Sequence, residues 1–530
     1  SEWAVTGGTR CSKRVFRTML GKVLLAPISY FESTPLGRIL NRFTYDTEVI
    51  DITLTEAMSI LMIAMGWFVA GVVIMLSILP WIGIALVPAL AVYWNLSYHY
   101  RMSGTDLQRL DAVARSPIQA MVSEGLEGST TIRVFGQTEN FVNKFVTATD
   151  KSGSALLNFI SAQRWLGVRI EILGSLVVLV ACILVISMND TLGLPPGIVA
   201  LLIIWSSNFT ITLGFLVDYF AEGEAAITSI ERVDAMTTIP QEHAMDTDAT
   251  KNPLSKSWPS DGKLDFENVC LRYRDGLPLA LDSLSFQIPG GKRVGVVGRT
   301  GAGKSSLTVA LFRLTEIESG RILLDDVDLA KIGLKDVRGR PGGMSIIPQD
   351  PFIAGTTLRE CVDPFGTSSD DAILDALVSV RLVSPDASSD DALETEVAEG
   401  GSNFSVGERQ LLNLARALLA KPKVLLLDEA TASIDGETDA LIQKMLRERF
   451  KETTLITIAH RLNTIMDYDL ILVMDKGRAV EFGNPVHLLE QKGLLFELVN
   501  ATGEESSRAL HGIARLSLVR MEEDIDTIHA

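Results

Sequence analysis

Residues 293–314 read RVGVVGRTGAGKSSLTVALFRL. A short apolar run ends at Gly298, a glycine-rich loop follows, and SLTVALFRL then takes up a helical pattern. This is the strand–loop–helix context that G-x-x-x-x-G-K-[ST] requires. Gly298, Gly301 and Gly303 relieve the backbone of Cβ obstruction, so the loop Gly298, Arg299, Thr300, Gly301, Ala302, Gly303 can fold round phosphates with its amides inward. The helix N-terminus that follows also faces negative charge. The pattern predicts that Lys304 neutralises the β- and γ-phosphates of ATP and that Ser305 ligates Mg²⁺, with Ser306 in the same ATP-binding set.

Outward from this loop, KVLLLDE (423–429) supplies the second half of such a site. Four apolar residues make a buried strand, and Asp428 at its end is placed to hold Mg²⁺ directly or through water. Glu429 follows and can act as general base on the attacking water. Three single residues fit the same pocket. His460 in IAHRL can contact the γ-phosphate, and Gln349 in IIPQDP offers an amide to Mg²⁺ and to the attacking water. Tyr273 in LRYRDG offers a face on which adenine can stack. Alone, each would be given a structural or surface role; order and spacing reverse that. The runs LDFENVCLRY, SLSFQI, RILLDD, MSIIPQ, TLITIA and DLILVM, with helical stretches between, predict an α/β P-loop NTPase domain over 263–502 with a largely parallel core sheet.

The chain before residue 220 is of another kind. At 530 residues there is room for two or more domains, and the composition is 47% hydrophobic with a mean hydropathy of +0.25. Four stretches, roughly 57–79, 81–100, 170–188 and 197–217, are long enough to cross a bilayer as helices. They predict an all-α transmembrane domain over 1–236. The short connections around Pro80-Trp81 and NDTLGLPPG carry no Lys or Arg. The segments before 57 and across 101–169 carry many, including Arg38, Arg42, Arg109, Arg115, Arg133 and Arg169. Positive residues stay inside, so the large segments and everything after 218 are expected in the cytoplasm. Asn189-Asp190-Thr191 is a glycosylation sequon on the outward side. Residues 237–262 lose apolar periodicity and are expected to be a linker, with a C-terminal tail over 503–530. A net charge of −17 argues against a nucleic-acid partner. The scattered Cys11, Cys182, Cys270 and Cys361 fit buried or idle thiols rather than a disulfide framework. SEWAVTGGTRCSKR has no apolar core and opens without Met, which suggests a fragment.

The order aromatic, P-loop, Gln loop, FSVGERQLLNLARALL, LLLDE, ATASID, IAHRL resembles the ATP-binding-cassette (ABC) transporters. LRYRDGLPLALDSLSF, IPQDPF, LRECVDPF and TIAHRLNTIMDYD are similar to the second nucleotide-binding domain of the C subfamily, the multidrug-resistance-associated type. YFESTPLGRILNRFTYDTEVID, RSPIQAMVSEGLEGSTTIRVFG and RWLGVRIE resemble its second transmembrane domain. The resemblance implies an integral membrane protein of the plasma membrane or an internal membrane, embedded in lipid. It would be an ATP hydrolase exporting organic solutes or conjugates, with an ATP-gated channel or channel regulator as the rival on the same scaffold. The family's transmembrane half has six spans against four here, so the first two are expected before residue 1, along with an N-terminal half as partner.

The resemblance also frames FSVGE (404–408). In this family each ATP lies between one domain's P-loop and the other domain's signature loop. Ser405 and Gly407 keep the signature pattern, whereas Val406 stands where a glycine is usual and Glu408 where Gln is frequent. A β-branched residue and a carboxylate there predict a poorer site on the partner's ATP. Pro341-Gly342-Gly343 and Ala354 also depart from the family pattern, and the turns near 36–48 and 128–138 are candidate couplers.

Overall fold

A computed structural model describes residues 2–529 except 249, 251, 256, 275, 386–388, 431–435 and 460. His460 and most of ATASID therefore lie outside the described residues. The chain divides into two compact units, Ser1–Leu24 with Pro35–Ile239 and Leu25–Thr34 with Pro240–Ala530.

The first unit is helical. Four helices, Thr55–Ile78, Gly83–Glu127, Thr138–Leu192 and Pro196–Thr237, contain segments long and apolar enough to cross a membrane. The last three have 45, 55 and 42 residues, about twice what a bilayer needs, so they continue well past it. A short helix, Ser129–Val134, joins the middle pair, with Gly136 in the left-handed region at the turn. Met75, Leu86, Leu166, Ile170, Leu202 and Phe209 share one buried cluster. Trp67, Ile84, Trp94 and Ile186 point outward, an apolar exterior suited to lipid and poorly suited to water. Asp46 is fully buried, and its cost is offset by Arg42 at 2.6 Å and Arg232 at 2.5 Å.

The second unit holds ten strands among its described residues: β1 (Leu264–Leu271), β2 (Leu281–Ile288), β3 (Arg293–Gly298), β4 (Ser319–Leu324), β5 (Val327–Asp328), β6 (Met344–Ile347), β7 (Val424–Asp428), β8 (Thr454–Ile458), β9 (Leu470–Asp475) and β10 (Arg478–Gly483). β2-β1-β4-β5 make an antiparallel sheet, and β10-β9-β3-β8-β7-β6 make a second that is parallel except for β10. The continuous apolar runs are explained by burial on both faces. Val297, Leu425, Leu427, Leu455 and Ile471 enter one core, and their neighbours Val296, Val424, Leu426, Ile456 and Leu472 enter the other. The helix Lys304–Leu311 puts Leu307, Ala310 and Leu311 into the core it shares with β1, β2 and β4.

Two segments differ from their sequence reading. The stretch read as a linker is fastened along the second unit: the Trp258 indole donates to Leu324 O at 3.0 Å, Asn252 donates to Lys331 O at 2.7 Å, and Lys335 meets Asp246 at 2.8 Å. The stretch read as a tail forms the helix Glu504–His529, whose Leu510 and Ala514 are buried in the cassette core. Polar composition hid the first, which is held mainly by hydrogen bonds, and the second is held by a few apolar residues spaced among charged ones. Of the four thiols only Cys361 is buried, and all are free.

Candidate functional site

Parallel pairing decides where the chemistry gathers. β3, β8, β7 and β6 run in one direction, so Gly298, Asp428 and the segment after Ile347 all leave the sheet at its carboxyl edge. Ala459, the residue before His460, emerges there too, its amide donating to Val296 O at 3.1 Å. Ligand sites form outside this edge in open α/β sheets.

The P-loop crosses the edge as a tight arch. A Cβ on Gly298 would come within 2.3 Å of Met474 O, and one on Gly303 within 2.8 Å of Ala280 O. Gly301 needs its glycine for another reason, a φ of +82° with open space around it. Ala302 is buried beneath the arch, while Arg299, Thr300 and Ser305 are exposed on it. The Lys304 ammonium donates to Gly298 O at 2.8 Å and to Arg299 O at 3.3 Å, which holds its charge against the loop. Ser306 is buried, and its hydroxyl lies 3.0 Å from the Tyr273 phenol oxygen.

These residues line one cleft of about 450 Å³. Tyr273, Thr300, Gly301, Gly303, Lys304, Ser305, Ser306 and Glu429 share it with four residues that sequence reasoning missed: Leu279, Ala280, Lys476 and Gly477. The last two form the two-residue turn between β9 and β10, both at positive φ. The Gly477 amide donates to Ala302 O at 2.9 Å, which locks the turn under the P-loop. The signal was present as Lys-Gly between two β-rich runs, a two-residue hairpin pattern.

Asp428 and Glu429 differ sharply. Asp428 closes β7, where burial and the neighbouring Glu429 charge push its pKa above the usual carboxylate range while Lys304 opposes the shift. The half-buried Asp428 carboxylate and the Ser305 hydroxyl are both oxygen donors of the kind Mg²⁺ takes. Glu429 occupies the left-handed region at φ 48°, its amide donating to Ile458 O at 3.1 Å. A non-glycine residue so placed carries backbone strain, and at Glu429 that strain falls on the cleft lining.

Other candidates stand apart from this cleft. The exposed Gln349 is not among its lining; its backbone carbonyl accepts from Gln410 Nε2 at 2.8 Å. Ser405, Val406, Gly407 and Glu408 do not line it either. They begin the helix Val406–Ala420 as a capping box: Glu408 N–H donates to Ser405 Oγ at 3.2 Å, and the Glu408 carboxylate accepts from Ser405 N–H at 2.8 Å. Glu408 thus folds back on its own helix end instead of reaching outward. Ser-x-x-Glu before an apolar stretch carries that signal in sequence. Pro341-Gly342-Gly343 is tied to the far end of the same helix, with Gly342 N–H donating to Ala420 O and Lys423 N–H donating to Gly343 O at 2.9 Å.

Comparison with known proteins agrees with this division. Residues 2–212 match the family model of the ABC transporter transmembrane region, and residues 281–432 match that of the ABC transporter. ABC transporter C family member 12 of Dictyostelium discoideum is 40% identical over 514 residues, covering 97% of this chain and 38% of that protein. ATP-binding cassette sub-family C member 2 of Mus musculus is 40% identical over 507 residues, 96% of this chain and 32% of that protein. Multidrug resistance protein mrp-7 of Caenorhabditis elegans is 39% identical over 502 residues, 94% and 33%. The chain spans about a third of the length of these relatives.

Proposed function

Since the chain belongs to the ABC transporter family and its relatives are C-family members, we propose that it is the C-terminal half of an ATP-driven exporter of organic solutes or conjugates. Its cassette is an ATP-binding domain at the cytoplasmic end of an integral membrane protein. The observation that carries the proposal is the cleft at the carboxyl edge, which brings Lys304, Glu429 and Tyr273 together beside Asp428.

In this proposal the P-loop amides and Lys304 bind the phosphates, and Tyr273 receives the adenine. Ser305 and Asp428 would hold Mg²⁺, which would supply charge neutralisation at the γ-phosphate, with Gln349, outside the cleft lining here, as the further oxygen donor. Glu429 takes the proton of the attacking water, and His460 assists at the γ-phosphate. Ser405, Val406, Gly407 and Glu408 serve the ATP on a partner cassette supplied by an N-terminal half.

The relative named as a multidrug resistance protein supports export over a channel. The test assembles the chain with its N-terminal half in lipid vesicles and follows ATP turnover with uptake of a panel of labelled amphiphilic solutes. ATP-dependent uptake, abolished by Lys304→Ala, is the expected result. An ATP-gated current without uptake overturns export, and absence of MgATP binding overturns the site.

A further inference from the structure

The helix Val406–Ala420 buries a polar side chain among apolar ones. Leu411, Leu412, Leu414 and Ala415 enter the core, and Gln410 beside them is 2% exposed. A buried amide needs partners, and Gln410 gives its Nε2 hydrogens to a single loop. It donates to Pro348 O at 3.0 Å and to Gln349 O at 2.8 Å. Its Oε1 is buried with no hydrogen-bond partner among the described residues. A leucine at 410 would carry no such unsatisfied acceptor, but it would leave both carbonyls unheld. The reversed amide would set Oε1 against two carbonyls, so the bonds fix the amide as well as the loop.

The register of the parallel sheet shows where this hold falls. Ile347, the last residue of β6, pairs with Leu427 of β7. Pro348 therefore follows β6 as Asp428 follows Leu427, and Gln349 comes level with Glu429. Neighbouring strands lie about 4.8 Å apart, so the backbone of Gln349 leaves the sheet one strand away from the two acidic residues. The Pro348 ring fixes its own φ, and Gln410 holds the next two carbonyls. Farther on, Arg416 of the same helix donates to Phe352 O at 2.9 Å, and Ile353 enters the core. The Gln349 side chain is exposed on this held backbone, and Gln410 itself does not line the cleft.

We propose that Gln410 is a positioning residue for Gln349: by holding the carbonyls of Pro348 and Gln349, it sets where the Gln349 amide oxygen can be offered to Mg²⁺. The inference rests on the part given to Gln349 in the proposed function. Without the two bonds the chain after Pro348 takes up other backbone conformations. The metal contact then weakens by the fraction of conformers that can make it.

The test uses the full chain in lipid nanodiscs and measures ATP affinity twice, with Mg²⁺ and with EDTA. The ratio of the two is the gain due to the metal. Melting temperatures confirm folding. Q410M keeps the length of the side chain and removes the donor. It should cut the gain about tenfold, the lower end of what partners that orient a metal ligand contribute, while affinity in EDTA stays within about twofold. Q349A should cut the gain as well, and adding Q410M to Q349A should cut it no further. Should Q410M fail to fold, Q410N carries the same expectation, since its amide stops one methylene short of the carbonyls. A wild-type gain in Q410M, an equal loss with and without Gln349, or a matching fall in EDTA overturns the positioning role alone. A wild-type gain in Q349A overturns the part given to Gln349 and the inference with it. Failure of the wild-type chain to bind MgATP overturns the nucleotide site.

Discussion

The phenol oxygen of Tyr273 lies 3.0 Å from the hydroxyl of Ser306, so the aromatic residue that precedes the P-loop is pinned to the helix that follows it. One end of the side chain is fixed and the ring lines the cleft. In the proposed site the hydrogen bond would set orientation and the ring face would supply affinity.

Tyr273→Phe should therefore bind MgATP more like wild type than Tyr273→Ala does. The alanine loses a stacked face worth on the order of 0.5–1.5 kcal/mol, roughly a two- to tenfold weaker affinity. Lys304→Ala should be the most damaging of the three, because it removes the charge held over the loop. Fluorescent-nucleotide titration gives the ranking; Tyr273→Ala weaker than Lys304→Ala contradicts it.

Glu429→Gln, in the chain assembled with its partner half, should retain MgATP binding and lose about 10²–10⁴-fold in turnover, the range for a positioned base. The left-handed backbone at this position is indifferent to the change from carboxylate to amide, so folding should be unaffected. Turnover close to wild type removes Glu429 from the role of base.

Asp428 predicts a pH effect with a definite sign. Its folded pKa lies above its unfolded value, so the fold favours the protonated form. That contribution to stability is full below the unfolded pKa and is lost as pH rises through the folded one. In buffer without Mg²⁺ or nucleotide, Asp428→Asn should remove this component from a plot of melting temperature against pH. Added Mg²⁺ with ATP should stabilise the wild type more than the variant. Parallel curves at every pH assign the strand-end carboxylate no such strain.

The signature loop yields a prediction in two parts. Glu408→Gln preserves the back-bond to Ser405 N–H and should alter melting temperature little, since a carboxylate at a helix N-terminus is worth about 0.3–1 kcal/mol. Combined with Val406→Gly, it should raise ATP turnover of the chain alone once self-association is confirmed. The double change should matter less when the partner half is present. Equal turnover of the isolated wild-type and double-variant chains means that Val406 and Glu408 are not limiting.

How much of this was legible in sequence follows from the range of the interactions. The P-loop, β7 and the four long helices are local patterns of spacing and hydropathy, and each stands where its residues predict. β10 was missed because Arg478–Gly483 is short, alternates charged with apolar residues and pairs at an edge, and Lys476-Gly477 entered the cleft only through β9 pairing with β3. Glu408 illustrates a different failure. Its proximity to phosphate was argued from a neighbouring domain, while a bond three residues away decided where its carboxylate points. The hold of Gln410 on Gln349 joins residues 61 apart through side chain and carbonyl, which no periodicity encodes.

The turn at Lys476-Gly477 has the outward form of a hairpin tip, the kind of place where chains usually accept inserted sequence. It will not behave as one. A Cβ on Gly477 would come within 2.7 Å of Ala280 O, the same carbonyl that crowds Gly303. A peptide tag spliced between these two residues would wedge the P-loop from below, at a place outside every ATPase motif recognised in the sequence. Insertional scanning should therefore find a position that silences nucleotide binding on what topology alone would mark as disposable surface, and a reporter placed there would respond to the loop's own movements.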